Sequence, residues 1–282
     1  MTRSFKHNND LNFILANARS LKPKLFSLID TLEEIDGNIA VITETWFKDD
    51  PQLEQLLKDT EDITGYSVIR KDRSESQDGM RGGGVAIVYR KRDIEMTRLA
   101  VPGNFEIVAS LGRRTAQRRK IITIGAYIPP AADADTSRRF LETISDAFRK
   151  YKSKYNAPYF LIAGDFNRRN IRAELREFPD IKLVQTGPTR GRNVLDMVFT
   201  NFPQYIKEWG TLPALFSHSG TVSDHAAVHL YAKIPRVVDY TIQRYSYLKQ
   251  TVEGDQKFAE LLGQVDWKTQ ITGQNATAMT TV

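Results

Sequence analysis

Residues 159–167 read YFLIAGDFN: five residues suited to a buried strand, then a glycine, a carboxylate, an aromatic ring and a carboxamide. Gly, Asp and Asn are turn formers, so a strand followed by a turn is one reading. The other makes Asp165 and Asn167 parts of a reaction centre. What the remaining strand ends carry decides between them.

Short apolar, β-branched runs recur along the chain: LNFILA (11–16), NIAVIT (38–43), GYSVIR (65–70), GGVAIVY (83–89), FEIVASL (105–111), IITIGAYI (121–128), VLDMVFT (194–200) and AAVHLYA (226–232). Their length and their Gly, Pro, Asn and Asp boundaries predict strands. Helical spacing occurs in Leu25, Leu28, Ile29, Leu32 and Ile35, and again in Phe140, Ile144, Phe148 and Tyr151, with Asp135 or Thr136 as the expected cap of the second helix. Many strands with few helices, and no strict βαβ alternation, predict an α+β fold of two packed sheets with helices outside. The strand rhythm stops after Ile234. Residues 1–10 read as an N-terminal tail, 11–234 as the domain, and 235–282 as a linker or partial segment holding one short helix over 254–264.

The chain has 282 residues, 41% of them hydrophobic, which supplies a core and excludes disorder of the whole chain. It has no cysteine, so disulfides and cysteine zinc sites are excluded. No apolar stretch suits a signal peptide or a membrane helix, which points to an intracellular protein, nuclear or cytoplasmic, with no membrane partner. Forty Lys and Arg against 34 Asp and Glu give a net charge of +6, which favours a polyanionic partner. Arg113, Arg114, Arg118, Arg119 and Lys120 form a basic hairpin tip that reads equally as a solvated turn or a phosphate contact. The RGGG run at 81–84 lacks a following Lys-Ser or Lys-Thr and leads into a strand, so it is not read as a phosphate cradle.

At the strand ends stand Asn17, Glu44, Tyr127, and Asp165 with Asn167; Asp196 sits within an apolar run, and Ser223, Asp224 and His225 precede the last strand. If that strand runs opposite to its neighbours, all these groups share one rim, outside the core. Singly, each has an ordinary role as a turn former, cap or rim aromatic; their shared position is the argument. Glu44 and Asn17 are hard oxygen ligands suited to Mg²⁺. His225 beside Asp196 makes an oriented imidazole, and Asp165 is a carboxylate able to act on water or a leaving oxygen, with Asn167 donating nearby. These are parts for metal-assisted hydrolysis of a phosphate ester.

The ordered set TETW (43–46), YIPP (127–130), GDFN (164–167), LDMVF (195–199) and SDH (223–225) resembles the endonuclease/exonuclease/phosphatase superfamily over about residues 10–234. That family includes DNase I, abasic-site endonucleases, inositol-phosphate phosphatases, neutral sphingomyelinases and deadenylases. The resemblance implies its DNase I-like fold, a four-layer α/β sandwich of two mixed sheets flanked by helices. NARSL (17–21), TETWFKDD (43–50), GPTRGRNVLDMVFTN (187–201) and SDHAAV (223–228) are similar to the endonuclease domain of non-LTR retrotransposons. VDW (265–267) resembles the link to a following reverse transcriptase.

By that resemblance Glu44 would be the principal ligand of Mg²⁺, or of Mn²⁺ in its place, with Asn17 beside it and Asp224 as a second metal-side carboxylate. Tyr127 and Asn167 would contact the scissile phosphate, Asp165 would activate water or assist the leaving 3′ oxygen, and His225, paired with Asp196, would bind the phosphate. Ser223 and Thr189 match positions close to DNA. Arg19, Arg190 and Arg192 are candidates for backbone contacts because Arg suits phosphate geometry. The implied activity is Mg²⁺-dependent nicking of DNA that leaves a 3′-hydroxyl for reverse transcription, with the reverse transcriptase and element RNA as expected partners. An abasic-site endonuclease, a lipid or small-molecule phosphoesterase, and an inactive nucleic-acid-binding remnant are the alternatives. The short stretch between Thr189 and Asp196, where some relatives carry a longer hairpin, implies a different or weaker reading of DNA. Arg168 and Arg169 follow Asn167 where an acidic helical run is expected.

Overall fold

The structure is a computed structural model that describes residues 10–48, 50–73, 82–114, 120–156, 158–167, 169, 171–175, 178–184, 187–217, 219–235 and 251–266. The chain divides into two compact units, Met1–Val237 and Val238–Val282. The first holds two sheets of six strands each. One sheet comprises β1 (Asp10–Asn17), β2 (Ile39–Thr43), β3 (Tyr66–Lys71), β4 (Val85–Arg90), β11 (Ile206–Leu212) and β12 (Ala227–Lys233), in the order β11-β12-β1-β2-β4-β3. The other comprises β5 (Ile94–Leu99), β6 (Glu106–Arg114), β7 (Lys120–Tyr127), β8 (Tyr159–Asp165), β9 (Lys182–Val184) and β10 (Asp196–Thr200), in the order β5-β6-β7-β8-β10-β9. Both are mixed: β1 runs parallel to β2 and β7 to β8, and the other neighbouring pairs are antiparallel.

The period-two geometry of strands explains the layers. Leu11, Phe13 and Leu15 of β1 join Val41, Ile87, Val108, Ile121, Leu161, Val198 and Leu230 in the core between the sheets. The alternate residues Ile14, Ala16, Ala40, Ile42 and Val88 face outward under helices α1 (Leu25–Glu34) and α2 (Pro51–Thr64). Ile122, Ile124, Phe160, Ile162 and Phe199 do the same under α3 (Ala134–Lys154) and the short α4 (Ile171–Glu174). Strands buried on both faces read as continuous apolar runs, which is why the sequence displays them so plainly. The expected α+β architecture of two packed sheets flanked by helices is the one observed.

Five elements escaped the sequence reading, the four-residue α4 among them. Helix α2 buries little beyond Leu53 and Thr60, so its apolar stripe is narrow; Asp50 accepts from the Leu53 N–H at 2.7 Å to start it, and Gly65 at φ +74° ends it. Strands β5 and β11 alternate with exposed positions, and β9 has three residues. The cap of α3 is Asp133, which accepts from Thr136 N at 2.6 Å, and not Asp135 or Thr136. Among the described residues no helix is long and apolar enough to cross a membrane. In the second unit the described segment is one helix, α5 (Val252–Gly263), capped by Thr251, with Phe258 and Leu261 exposed. Arg118, Arg119, Arg168 and Trp267 lie outside the described residues.

Gly164 answers why the run YFLIA stops at a glycine. A Cβ there would lie 1.9 Å from the Ala126 carbonyl oxygen on the parallel neighbour β7, so no side chain fits unless the backbone moves. Overpacking of this kind costs about 1 to 3 kcal/mol, so Gly164→Ala is expected to lower the melting temperature by about 2 to 12 °C. An unchanged melting curve by circular dichroism would refute this account of the close approach.

Candidate active site

The topology brings six segments to one rim. Asn17 ends β1 beside Thr43 of β2, with Glu44 the next residue. Tyr127 and Asp165 end the parallel strands β7 and β8 side by side. Strand β10 runs antiparallel to β8 and opens with Asp196 opposite Asp165, so Asp196 begins its strand where the sequence placed it inside a run. Strand β12 is antiparallel to β1, which returns Ser223–His225 to the same edge.

Side chains then join the two sheets. Asn17 Nδ2 donates at 2.9 Å both to Glu44 Oε1 and to Asp165 Oδ2, bridging two carboxylates, while its Oδ1 accepts from the Arg19 N–H at 3.2 Å. Tyr127 Oη donates to Glu44 Oε1 at 3.3 Å, and Trp46 Nε1 to Glu44 Oε2 at 3.2 Å. The Glu44 carboxylate, half-buried, is therefore met by three neutral donors. Asn167 donates its N–H to Asp165 Oδ1 at 2.9 Å and its Nδ2 to Ile128 O at 2.7 Å. His225 Nδ1 lies 2.7 Å from Asp196 Oδ2, and both residues are buried, at 3% and 0% exposure. The sequence reading left His225 outside the core; the structure buries it, because β12 starts within the packed edge of its sheet.

Burial shapes the titration of these groups. It raises the Asp165 carboxyl, with the Asp196 charge adding to it, up to about 7. Burial presses the His225 imidazole down, but the hydrogen bond and charge of Asp196 outweigh it and the net direction is up. Burial, then the charges of Glu44 and Asp165, hold the Tyr127 hydroxyl far above its usual range, so it stays a proton-bearing donor.

The remaining candidates occupy a supporting ring. Ser223 donates to Asn17 O at 2.5 Å and accepts from His225 N at 3.3 Å. Buried Thr189 accepts from Leu195 N and Asp196 N at 3.3 Å, and its carbonyl accepts from Ala226 N at 2.8 Å. Asp224 pairs with Arg190 at 2.6 Å and Arg19 at 3.4 Å, and Arg192 is exposed on the turn between Arg190 and Asn193. The hairpin tip at Lys120 lies elsewhere: it opens the eight-residue β7 that Tyr127 closes, about 23 Å away along the strand. Lys120 packs over the Tyr155 ring there.

Sequence reasoning missed three contributors. Buried Lys24 donates to Ala18 O at 2.6 Å and Arg19 O at 2.9 Å, fixing the loop after β1. The glycines 82–84, all at positive φ, lay their backbone against Thr45 and Trp46: Trp46 N donates to Gly83 O at 2.9 Å. Buried Glu106 accepts from Arg73 Nε at 2.6 Å and from Gly84 N; burial raises its carboxyl, and Arg73 opposes the rise. The one signal for Glu106 was an acid opening an apolar run. Five of the seven non-glycine residues at positive φ among those described, Arg19, Ser20, Glu44, Trp46 and Asn167, stand on this rim. Such conformations persist only where the surroundings over-determine them.

The donor set suits a hard divalent cation. Asp165, Asp196 and His225 offer ligand atoms within 4.8 Å of one another, and Asp196 Oδ1 is buried with no hydrogen-bond partner. Glu44 adds carboxylate oxygens that no cationic side chain among the described residues neutralises directly.

The model of the Endonuclease/Exonuclease/phosphatase family, a superfamily of phosphodiesterases and phosphatases, matches residues 10–225. Among solved structures, the endonuclease domain of TRAS1, a telomere-specific non-LTR retrotransposon, superposes with a TM-score of 0.58 at 17% identity, covering 80% of this chain and 99% of that one. TDP2 of D. rerio complexed with single-strand DNA product gives 0.56 at 14% identity, with 79% and 98% covered. A mannosyl-6-phosphatase of Bacteroides thetaiotaomicron gives 0.54 at 14%, with 78% and 98% covered. No curated protein matches the chain. Two six-stranded sheets that meet at a carboxylate, carboxamide and histidine rim, and a family match through residue 225, show that the chain belongs to the Endonuclease/Exonuclease/phosphatase family.

Proposed function

We propose that this chain is a divalent-cation-dependent endonuclease that nicks DNA and leaves a 3′-hydroxyl, the end a reverse transcriptase of a parent polyprotein would extend. The observation that carries the reading is the continuous chain from Glu44 through Asn17 and Asp165, with the Asp196–His225 pair beside it. The rim arginines Arg19, Arg190 and Arg192 favour a polyanion over a small phosphoester.

Glu44 would hold Mg²⁺, or Mn²⁺, with Asn17 orienting its carboxylate; the cation would neutralise charge on the phosphate. Asp165, its carboxyl raised to about 7, would take a proton from attacking water or assist the leaving 3′ oxygen. His225, oriented by Asp196, would donate to a phosphate oxygen, and the Tyr127 hydroxyl and Asn167 carboxamide would fix the phosphate. Asp224 would hold Arg19 and Arg190 at the rim until DNA phosphates compete for them. The deciding experiment incubates supercoiled plasmid with the purified chain in Mg²⁺ or EDTA. Nicked circles in Mg²⁺ alone are expected; a folded chain that binds DNA and never nicks it would sink the reading.

A second expectation concerns stability. Without a cation, the folded Asp165 carboxyl titrates at about 7 and the unfolded one at about 3.8, so stability falls as pH rises from 4 to 7 and stays low above that window. A cation relieves that cost only where Asp165 is ionised. At about a hundred times its dissociation constant, Mg²⁺ is expected to raise the melting temperature by roughly 5 to 10 °C at pH 8, and by less at pH 5.5. Equal shifts at both pH values in thermal melts would count against a cation beside Asp165.

A further inference from the structure

Between β11 and β12, residues 215–217 pair antiparallel with 221–223, just before the rim residues Asp224 and His225. Ser217 N donates to Thr221 O and Ser223 N to Leu215 O, both at 2.8 Å. These bonds flank Phe216 and Val222, which makes the two a non-hydrogen-bonded pair with side chains together on one face. The alternate residues Leu215, Ser217 and Ser223 are buried, and Ser223 is tied to Asn17 O, so the segment is anchored from below. Phe216 and Val222 themselves are 53% and 57% exposed.

A lone apolar residue on a surface needs no explanation, but this pair has charged neighbours. The turn carrying Arg190 and Arg192 is joined to the end of the same segment: Ala226 N donates to Thr189 O at 2.8 Å, and Arg190 pairs with Asp224 at 2.6 Å. Arg19 reaches the same carboxylate at 3.4 Å, so two exposed arginines share one acid. The rim thus offers cations for phosphate and, beside them, a ring and a branched aliphatic group that phosphate does not satisfy. In a nucleic acid the apolar matter is the stack of bases. Val222 precedes His225 by three residues, at most about 11 Å, and the Cα of a non-hydrogen-bonded partner lies about 4.5 Å away. Phe216 therefore stands within about 16 Å of His225, no more than about five base steps along a strand.

We infer that Phe216, braced by Val222, is a wedge that enters duplex DNA from the minor groove, partly unstacks one base step and kinks the duplex near the scissile phosphate. Apolar side chains that kink DNA in this way act from that groove, and its negative potential suits the arginines beside them. The wedged step must yield, so a flexible pyrimidine–purine step such as TA is preferred over a stiff A-tract. The inference rests on the endonuclease reading above.

The test uses two short end-labelled duplexes, one with a central TA step and one an A-tract, mixed with the full chain in EDTA so that nothing is cleaved. Anisotropy reads binding, and energy transfer between the ends reads bending. The parent is expected to bind the TA duplex about fivefold more tightly than the A-tract and to bend it by roughly 20 to 90°. Phe216→Thr, which keeps a strand former in the pair but removes the ring, should lose that preference and leave the TA duplex straight. Phe216→Leu, still able to wedge, should keep most of both. Thermal melts establish that the variants fold. A parent that binds the two duplexes alike and leaves them straight overturns the wedge without any variant. So does a folded Phe216→Thr that prefers and bends the TA duplex as the parent does, which would leave the apolar pair to a protein partner. Either result leaves the endonuclease reading standing. No binding of either duplex, with no nicking of plasmid, overturns both.

Discussion

Glu44→Ala is expected to slow plasmid nicking in Mg²⁺ by roughly 10²- to 10⁴-fold, since a lost cation ligand forfeits several kcal/mol of transition-state stabilisation. Glu44 is half-buried, Asn17 keeps its bond to Asp165, and Trp46 is exposed to water, so the melting temperature should stay within about 2 °C of the parent. The Mg²⁺-induced rise in melting temperature should shrink at the same time. A variant that nicks normally, or one that retains the full Mg²⁺ shift, would remove Glu44 from its assigned role.

The second large effect separates chemistry from stability. His225→Ala should also slow nicking by about 10²- to 10⁴-fold. Unlike Glu44, His225 is buried against Asp196, and its removal strands a fully buried carboxylate. Breaking a buried pair in this way costs about 3 to 5 kcal/mol. Asp196→Ala alone should cost a similar amount. The double variant should cost clearly less than the sum, because neither charge is then left unpaired. Urea denaturation of the four proteins provides the cycle; strictly additive costs would show that the two residues do not stabilise each other.

The comparison of sequence with structure has a simple physical pattern. Strands such as β2 and β8 were legible because both faces are buried, so Ile39–Thr43 and Tyr159–Ala163 have no polar interruption. Helices α1 and α3 were legible because each lays a broad apolar face on a sheet. Helix α2 and the outer strands β9 and β11 bury too little to leave such a pattern. The candidate site followed the same logic: polar residues closing apolar runs, such as Asn17, Glu44 and Asp165, stand out against their neighbours. The Arg73–Glu106 pair did not, since an arginine in a loop and an acid at the start of a strand are ordinary taken alone. Their meaning comes from a contact across 33 positions that spacing does not reveal.

The order in which the rim is assembled sets when the proposed activity can appear. Asn17 is made early in synthesis and His225 late, and Ser223 must return to the Asn17 carbonyl across 206 positions before the last strand locks beside the first. Pairings so distant in sequence form slowly and late. A nascent or half-folded chain holds the carboxylates without the imidazole, so the complete site would form only with the finished fold. The proposed activity would then report that the fold is complete.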